Sequence, residues 1–171
     1  YSYVRGQLAR VDDAELRSTT YEYDAFGRLY KEYLINSATP NQSLVTTYNY
    51  YADDKLCWKS CFRPLAYPAA DWRTYFFYDE LGRLRYKSYH PCTTPFPPAP
   101  SPLATPVGGE LVLHYVYDAT GDLEEIESSC TSGCNETQSY QHDSLSRLTS
   151  RTGVGSNWST EQNKIRYYYD G

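Results

Sequence analysis

Tyr21-Glu22-Tyr23-Asp24-Ala25-Phe26-Gly27-Arg28-Leu29 returns as Phe76-Phe77-Tyr78-Asp79-Glu80-Leu81-Gly82-Arg83-Leu84 and again as Tyr115-Val116-Tyr117-Asp118-Ala119-Thr120-Gly121-Asp122-Leu123. Two worn copies keep the frame: Tyr48-Asn49-Tyr50-Tyr51-Ala52-Asp53-Asp54-Lys55-Leu56 and Tyr140-Gln141-His142-Asp143-Ser144-Leu145-Ser146-Arg147-Leu148. Tyr167-Tyr168-Tyr169-Asp170-Gly171 is a broken sixth copy, and Tyr1-Ser2-Tyr3-Val4-Arg5-Gly6-Gln7-Leu8 reads as a shortened one. Repetition decides architecture before local propensity does. The second aromatic position falls at 23, 50, 78, 117, 142 and 169, in steps of 27, 28, 39, 25 and 27.

Each copy predicts a β-hairpin. Alternating Tyr-x-Tyr is a strand pattern. Asp-x-x-Gly suits a type I turn, because the carboxylate accepts local N–H groups and Gly tolerates positive φ. The turn residues are then Asp24 and Gly27, Asp79 and Gly82, Asp118 and Gly121. Arg-Leu opens the return strand. The flanking Asp and Arg are expected to form an exposed ion pair of little worth. Asp54 can visit left-handed space in place of Gly. Ser146 does so less readily, which predicts a distorted turn there. One hairpin alone is marginal, so the copies must stack. Stacking would place Tyr23, Tyr50, Tyr78, Tyr117 and Tyr169 in one row, with neighbouring rings in contact. The best helical candidate, Gln7 to Arg17, would interrupt the first copy. The expectation is an all-β chain of stacked antiparallel hairpins, one repeat array over residues 1–171.

Composition narrows the function. The 171 residues include 20 Tyr, no Met, 40% apolar residues and a net charge of −5. No basic block marks a nucleic-acid partner. No run of about 18 apolar residues spans a membrane. The missing initiator Met suggests a processed product or a piece of something longer.

These motifs resemble the YD-repeat family, also called Rhs repeats. The resemblance rests on Tyr23-Asp24 with Gly27-Arg28-Leu29, Tyr78-Asp79 with Gly82-Arg83-Leu84, and Tyr117-Asp118 with Gly121 and Leu123. It implies hairpins wound into a spiral β-sheet, as in bacterial Rhs and toxin-complex shells that hold a toxic cargo, and in teneurins. The Asp-Pro-x-Gly cleavage segment that ends Rhs shells has no counterpart here, since no Asp-Pro dipeptide occurs. Its protease activity is therefore not carried over. Six hairpins are also too few to enclose a protein.

Three readings follow. The first is an extracellular or cell-surface structural protein without catalysis, joining copies of itself head to tail into a fibre through its end repeats. The second is a slice of a cargo-holding shell. The third is a carbohydrate-binding or adhesion module.

From Pro91 to Pro106, seven of sixteen residues are Pro, which predicts an extended surface insert at 91–106 without sheet pairing. Thr93, Thr94, Ser101 and Thr105 within it are candidate O-glycosylation sites. Asn41, Asn135 and Asn157 each open an N-x-S/T sequon. Cysteines 57, 61, 92, 130 and 134 all fall after a repeat Leu, which places them on connectors and suggests disulfides. Local closure of Cys57 with Cys61 and of Cys130 with Cys134 is the simplest scheme. Cys92 would then be free or pair between chains. A bridge between repeats, such as Cys61 with Cys92, is the rival. Neither zinc nor another metal is expected, because the Cys-x3-Cys pairs lack matched partners. His90, His114 and His142 lie on different repeats, so no catalytic set and no cofactor is predicted.

Overall fold

A computed structural model describes residues 1–14, 17–36, 44–62, 71–91, 101–102, 105–106, 111–131, 133, 135–155 and 164–169. Thirteen strands follow one another: β1 (Ser2–Val4), β2 (Gln7–Asp12), β3 (Arg17–Tyr23), β4 (Leu29–Asn36), β5 (Leu44–Tyr50), β6 (Leu56–Phe62), β7 (Asp71–Tyr78), β8 (Leu84–Pro91), β9 (Leu111–Tyr117), β10 (Leu123–Cys130), β11 (Glu136–His142), β12 (Leu148–Gly155) and β13 (Lys164–Arg166). They make one open antiparallel sheet whose spatial order is the chain order. No helix occurs among the described residues, and none is therefore long and apolar enough to cross a membrane. The chain divides into two compact units. One is Tyr1–Tyr75 with His90–Pro100, and the other is Phe76–Tyr89 with Ser101–Gly171.

Gln7 to Arg17 is strand, turn and strand, as the repeat demands. Asp13 breaks β2 from β3: its carboxylate accepts the Arg17 amide at 2.9 Å, and its own amide donates to the Arg17 carbonyl at 2.9 Å. A side-chain acceptor of this kind favours a turn over a helix interior.

Among the described residues, the hairpins β1–β2, β3–β4, β5–β6, β9–β10 and β11–β12 carry the same irregularity just past the turn. Tyr23 pairs Leu29 while Glu22 pairs Lys31, which leaves Tyr30 as an extra residue. Cys57, Glu124 and Thr149 are extra in the same way. In the shortened first hairpin Tyr3 pairs Leu8 while Ser2 pairs Arg10, so Ala9 is extra. One inserted residue per hairpin bends the strand and raises its twist. The ladder between successive hairpins accordingly stops short of the turns: β4 and β5 pair from Lys31 with Thr47 to Leu34 with Leu44, and β8 and β9 from Tyr86 with His114 to Tyr89 with Leu111.

Among the described residues, the buried apolar side chains are Cys57, Tyr75 and Phe77. Tyr75 meets His90 edge-on at 5.4 Å, and Phe77 meets Tyr86 edge-on at 6.5 Å. Most other strand positions are half-buried or exposed.

Two expectations are corrected by the strand boundaries. Cys57 and Cys61 are free thiols inside β6, not connector residues. Four residues of extended strand separate their Cα atoms by about 13 Å, beyond the roughly 4.4–6.8 Å that a disulfide spans. Cys130 is the last residue of β10 and is disulfide-bonded. Cys92 and Cys134 lie outside the described residues. The second correction concerns the Pro-rich insert expected at 91–106 outside the sheet: its first residue, Pro91, is the last residue of β8. Proline lacks an N–H but keeps its carbonyl, and the Pro102 carbonyl accepts the Tyr78 amide at 2.8 Å. At this point the insert is tied to the end of a strand by a backbone bond.

Candidate functional site: the joint between hairpins

The turns are built alike. The first turn residue's carbonyl accepts the amide three positions on, and its amide donates to the carbonyl four positions on. In the Asp24 turn these bonds are 3.0 Å (from Gly27) and 2.9 Å (to Arg28). The same pair closes the turns at Tyr51, Asp79, Asp118 and Asp143. This is the three-residue hairpin loop, a type I turn followed by a left-handed residue. The left-handed residues are Gly27, Gly82 and Gly121, and also Asp54 at φ 65° and Ser146 at φ 59°. Ser146 therefore adopts the standard turn. The distortion expected there is absent, because the closing backbone bonds hold the residue in place. The first hairpin is closed instead by Arg5 and Gly6, both at positive φ.

The Asp side chain completes the turn. Asp24 Oδ1 accepts the Phe26 and Arg28 amides, each at 2.9 Å, and Oδ2 accepts Arg28 Nε at 2.8 Å. Asp79 holds Leu81, Arg83 and Arg83 Nε in the same way at 3.0, 2.8 and 2.7 Å. Asp143 repeats it with Leu145, Arg147 and Arg147 Nε at 2.9, 3.0 and 2.8 Å. Where Asp122 replaces the Arg, Asp118 turns to the Thr120 hydroxyl at 2.6 Å. Desolvation works against ionisation of Asp24 and Asp79, yet the hydrogen bonds from Arg28 and Arg83 prevail and hold both carboxyls below the usual range. The Thr120 hydroxyl lowers Asp118, and the Arg147 amide lowers Asp143. In the Arg-bearing turns both oxygens are committed to the hairpin. No cluster of three metal-ligating side chains occurs among the described residues.

The Asp24–Arg28 and Asp79–Arg83 pairs are more sheltered than the exposed bridge expected from sequence, whereas Arg147 of the third pair is exposed. Arg28 and Asp24 side chains keep only 24% and 22% of their exposure. The reason is the next hairpin. Arg28 stacks on the Tyr50 ring at 4.7 Å, Arg83 on Tyr117 at 4.5 Å and Arg147 on Tyr169 at 4.6 Å. The same tyrosines donate their hydroxyls back across the joint. Tyr50 bonds the Leu29 carbonyl at 2.8 Å, Tyr117 the Leu84 carbonyl at 2.8 Å and Tyr169 the Leu148 carbonyl at 2.8 Å. Tyr23 bonds the Leu8 carbonyl at 2.9 Å. There Gln7 stands where the others have Arg, and it donates to the Gly27 carbonyl at 2.8 Å. Burial raises the Tyr50 and Tyr117 phenols, helped by the Asp24 and Asp79 charges.

Four of the five predicted row tyrosines, Tyr23, Tyr50, Tyr117 and Tyr169, thus share one role, a phenol bonded to a leucine carbonyl of the hairpin before. Where the ladder has stopped, a phenol supplies the missing donor and a guanidinium fills the space between rings. Such stacks contribute roughly 0.5–2 kcal/mol each. The fifth tyrosine, Tyr78, ends β7 beside the Pro102 carbonyl. His142 occupies the row without a phenol. The arginines and the leucine carbonyls were not predicted as parts of the joint. The recurrence of Gly-Arg-Leu was the signal that could have found them.

The remaining candidates are scattered. His114 pairs with Glu127 at 2.8 Å and stacks on Tyr86 at 4.4 Å. Burial lowers His90. Tyr48 donates to Glu32 at 3.0 Å, and burial with that bond pushes its phenol up to about 12. Asn135, Ser101 and Thr105 are exposed. Asn41, Asn157, Thr93 and Thr94 lie outside the described residues. An open groove of about 410 Å³ is lined by Leu111, Leu113, Ile126, Ser128, Glu136 and Gln138.

Residues 3–32 match the family described as RHS Repeat. No curated protein matches the chain in sequence. A solved structure described as the TcdB2-TccC3-Cdc42 complex is similar to it, at 17% identity and a TM-score of 0.50. That likeness covers 92% of this chain and 9% of the solved one. A second, described as TcdB2-TccC3-TEV, is similar at 16% identity and a TM-score of 0.48, over 88% of this chain and 9% of that chain.

Proposed function

The chain carries Rhs repeats, and from that premise we propose that it is a structural wall segment, one stretch of an Rhs shell that surrounds a cargo and performs no catalysis itself. The observation that supports this best is the scarcity of buried apolar side chains among the described residues. Thirteen strands bury only three apolar side chains among the described residues, whereas a free-standing domain of this length needs a larger core. What ties hairpin to hairpin at Tyr23, Tyr50, Tyr117 and Tyr169 is the joint, a polar contact between neighbours along the sheet. The matched structure supports a slice as well, since this chain spans about a tenth of its length.

The test is electron microscopy of the native gene product. A hollow shell with this stretch in its wall is expected. Regular filaments of the 171-residue chain would refute the reading and support the fibre, in which copies pair through β1 and β13. On the wall reading, Asn135, Ser101 and Thr105 are glycosylated only if the product is secreted. Intact-mass analysis of secreted material checks this.

A further inference from the structure

We propose that Arg83 and Arg85 form a binding site for a carboxylate, supplied by an aspartate or glutamate side chain of a partner polypeptide. Arg28 and Arg83 hold the same place in their hairpins, yet their guanidinium ends are used differently. Arg28 donates from Nε to Asp24 at 2.8 Å and from Nη1 to Asp54 of the next hairpin at 2.6 Å. Arg83 donates from Nε to Asp79 at 2.7 Å in the same way. In the hairpin after it, however, the residue that corresponds to Asp54 is Gly121. A Cβ built on Gly121 would lie 3.6 Å from Arg83 Nη1, so this residue faces the guanidinium but brings it no carboxylate. Among the described residues, the two terminal nitrogens of Arg83 make no hydrogen bond. Their further contact is the stack on Tyr117 at 4.5 Å.

A second guanidinium lines the same hollow. Gly82-Arg83-Leu84 is followed by Arg85, whereas Gly27-Arg28-Leu29 is followed by Tyr30. Arg85 lies 5.1 Å from the Tyr86 ring and meets no carboxylate among the described residues. Together with Asp79, Glu80 and Leu81, the two arginines line an open hollow of about 380 Å³. Both oxygens of Asp79 are taken by its own turn, Oδ1 by the Leu81 and Arg83 amides and Oδ2 by Arg83 Nε. A guanidinium is a planar fork of donors with no acceptor of its own. Two such forks at one hollow match an acceptor with two oxygens, and a carboxylate is the group that Arg28 takes from Asp54. Glu80 is the opposing charge; it is exposed, and it weakens the site without filling it. Leu81, 77% exposed, gives the hollow an apolar wall. That wall favours a polypeptide, which can set an apolar residue beside its acidic one, over a free carboxylic acid.

The test follows the arginine Nε–H resonances of the isotope-labelled chain during titration with acetyl-aspartate methylamide. Saturable shifts are expected at Arg83 and Arg85. Arg28 is the control within the same molecule, because Asp54 already holds its Nη1, and it should show none. The acetyl-asparagine compound should bind about tenfold more weakly, since a charged acceptor makes the stronger hydrogen bond. Arg28 and Arg83 shifting alike, or an asparagine compound as good as the aspartate one, would overturn the proposal. Acetyl-leucyl-aspartate methylamide should bind about threefold tighter than acetyl-aspartate methylamide, through apolar contact with Leu81; equal binding would overturn the choice of a polypeptide. Arg85→Gln should weaken binding about tenfold and leave the Asp79–Arg83 closing pair protected from amide exchange. Glu80→Gln should tighten binding about threefold by removing the repelling charge. Binding that Arg85→Gln leaves unchanged would overturn the two-arginine site. Should Arg85→Gln loosen the turn, Glu80→Gln still decides, because binding that it leaves unchanged would place the carboxylate elsewhere.

Discussion

Ser146→Gly tests whether the left-handed turn position is a strained one. Ser146 sits at φ 59°, is exposed, and its hydroxyl makes none of the turn's hydrogen bonds. Left-handed backbone costs an L-residue roughly 1–2 kcal/mol. Glycine removes that cost but adds about 0.4–1 kcal/mol of freedom to the unfolded chain. The expected net is a stabilisation of about 0.5–1 kcal/mol. For a chain of this length each kcal/mol raises Tm by roughly 2–4 °C. Asp54→Gly relieves the same strain at φ 65° but loses the 2.6 Å contact with Arg28, so its gain should be smaller. Urea denaturation with amide exchange at the Asp143–Arg147 closing pair separates the two effects. Equal gains, or no gain at Ser146, would refute the reasoning.

The other predictions concern the joint and the core. Tyr117→Phe should cost about 1–3 kcal/mol, because the Leu84 carbonyl loses its donor at a half-buried joint; denaturant midpoints of the two proteins decide it. Arg83→Lys should cost about 1 kcal/mol, since a lysine keeps the charge but loses the Nε bond to Asp79 and the planar stack on Tyr117. Asp24, Asp79, Asp118 and Asp143 are all more acidic folded than unfolded. Their contribution to stability is therefore fully present above about pH 4 and lost as pH falls through the lower folded values; acid titration of the denaturant midpoint should show that loss there, separate from the earlier loss that His90, lowered by burial, adds as pH falls through the ordinary imidazole range near 6.5. Cys57 is fully buried and burial raises its thiol, whereas Cys61 is only half-buried. Peptide mapping after brief alkylation should find Cys61 modified in the native protein and Cys57 only after unfolding.

The hairpins were legible in the sequence because their punctuation is local. Asp-x-x-Gly makes its turn within five residues, and Tyr-x-Tyr reads as a strand without help from the rest of the fold. The joints were not legible in the same way. They connect Arg28 with Tyr50 and Tyr117 with Leu84, contacts set by how far one hairpin splays from the next. That splay comes from the extra residue at Tyr30, Cys57, Glu124 and Thr149, whose side chains share no chemistry. A position marked only by backbone geometry leaves no trace in residue type. The cysteines were misplaced for a related reason. Counting from the repeat leucine locates the start of the return strand but not its length, and β6 runs through both Cys57 and Cys61.

The extra residue after each turn also bears on how such a chain can be lengthened or shortened. The Tyr50, Tyr117 and Tyr169 joints each draw on one phenol from the later hairpin, and on one guanidinium and one carbonyl from the earlier. Nothing in such a joint depends on which two hairpins meet, as the Gln7 joint shows by working without an arginine. Duplicating or excising a whole hairpin with its connector would present a tyrosine to a leucine carbonyl as before. Excising a single strand would reverse the chain direction and bring like to like. The gene is therefore free to change in steps of about 27 residues, the spacing of most of its tyrosines, and is held rigidly against smaller ones.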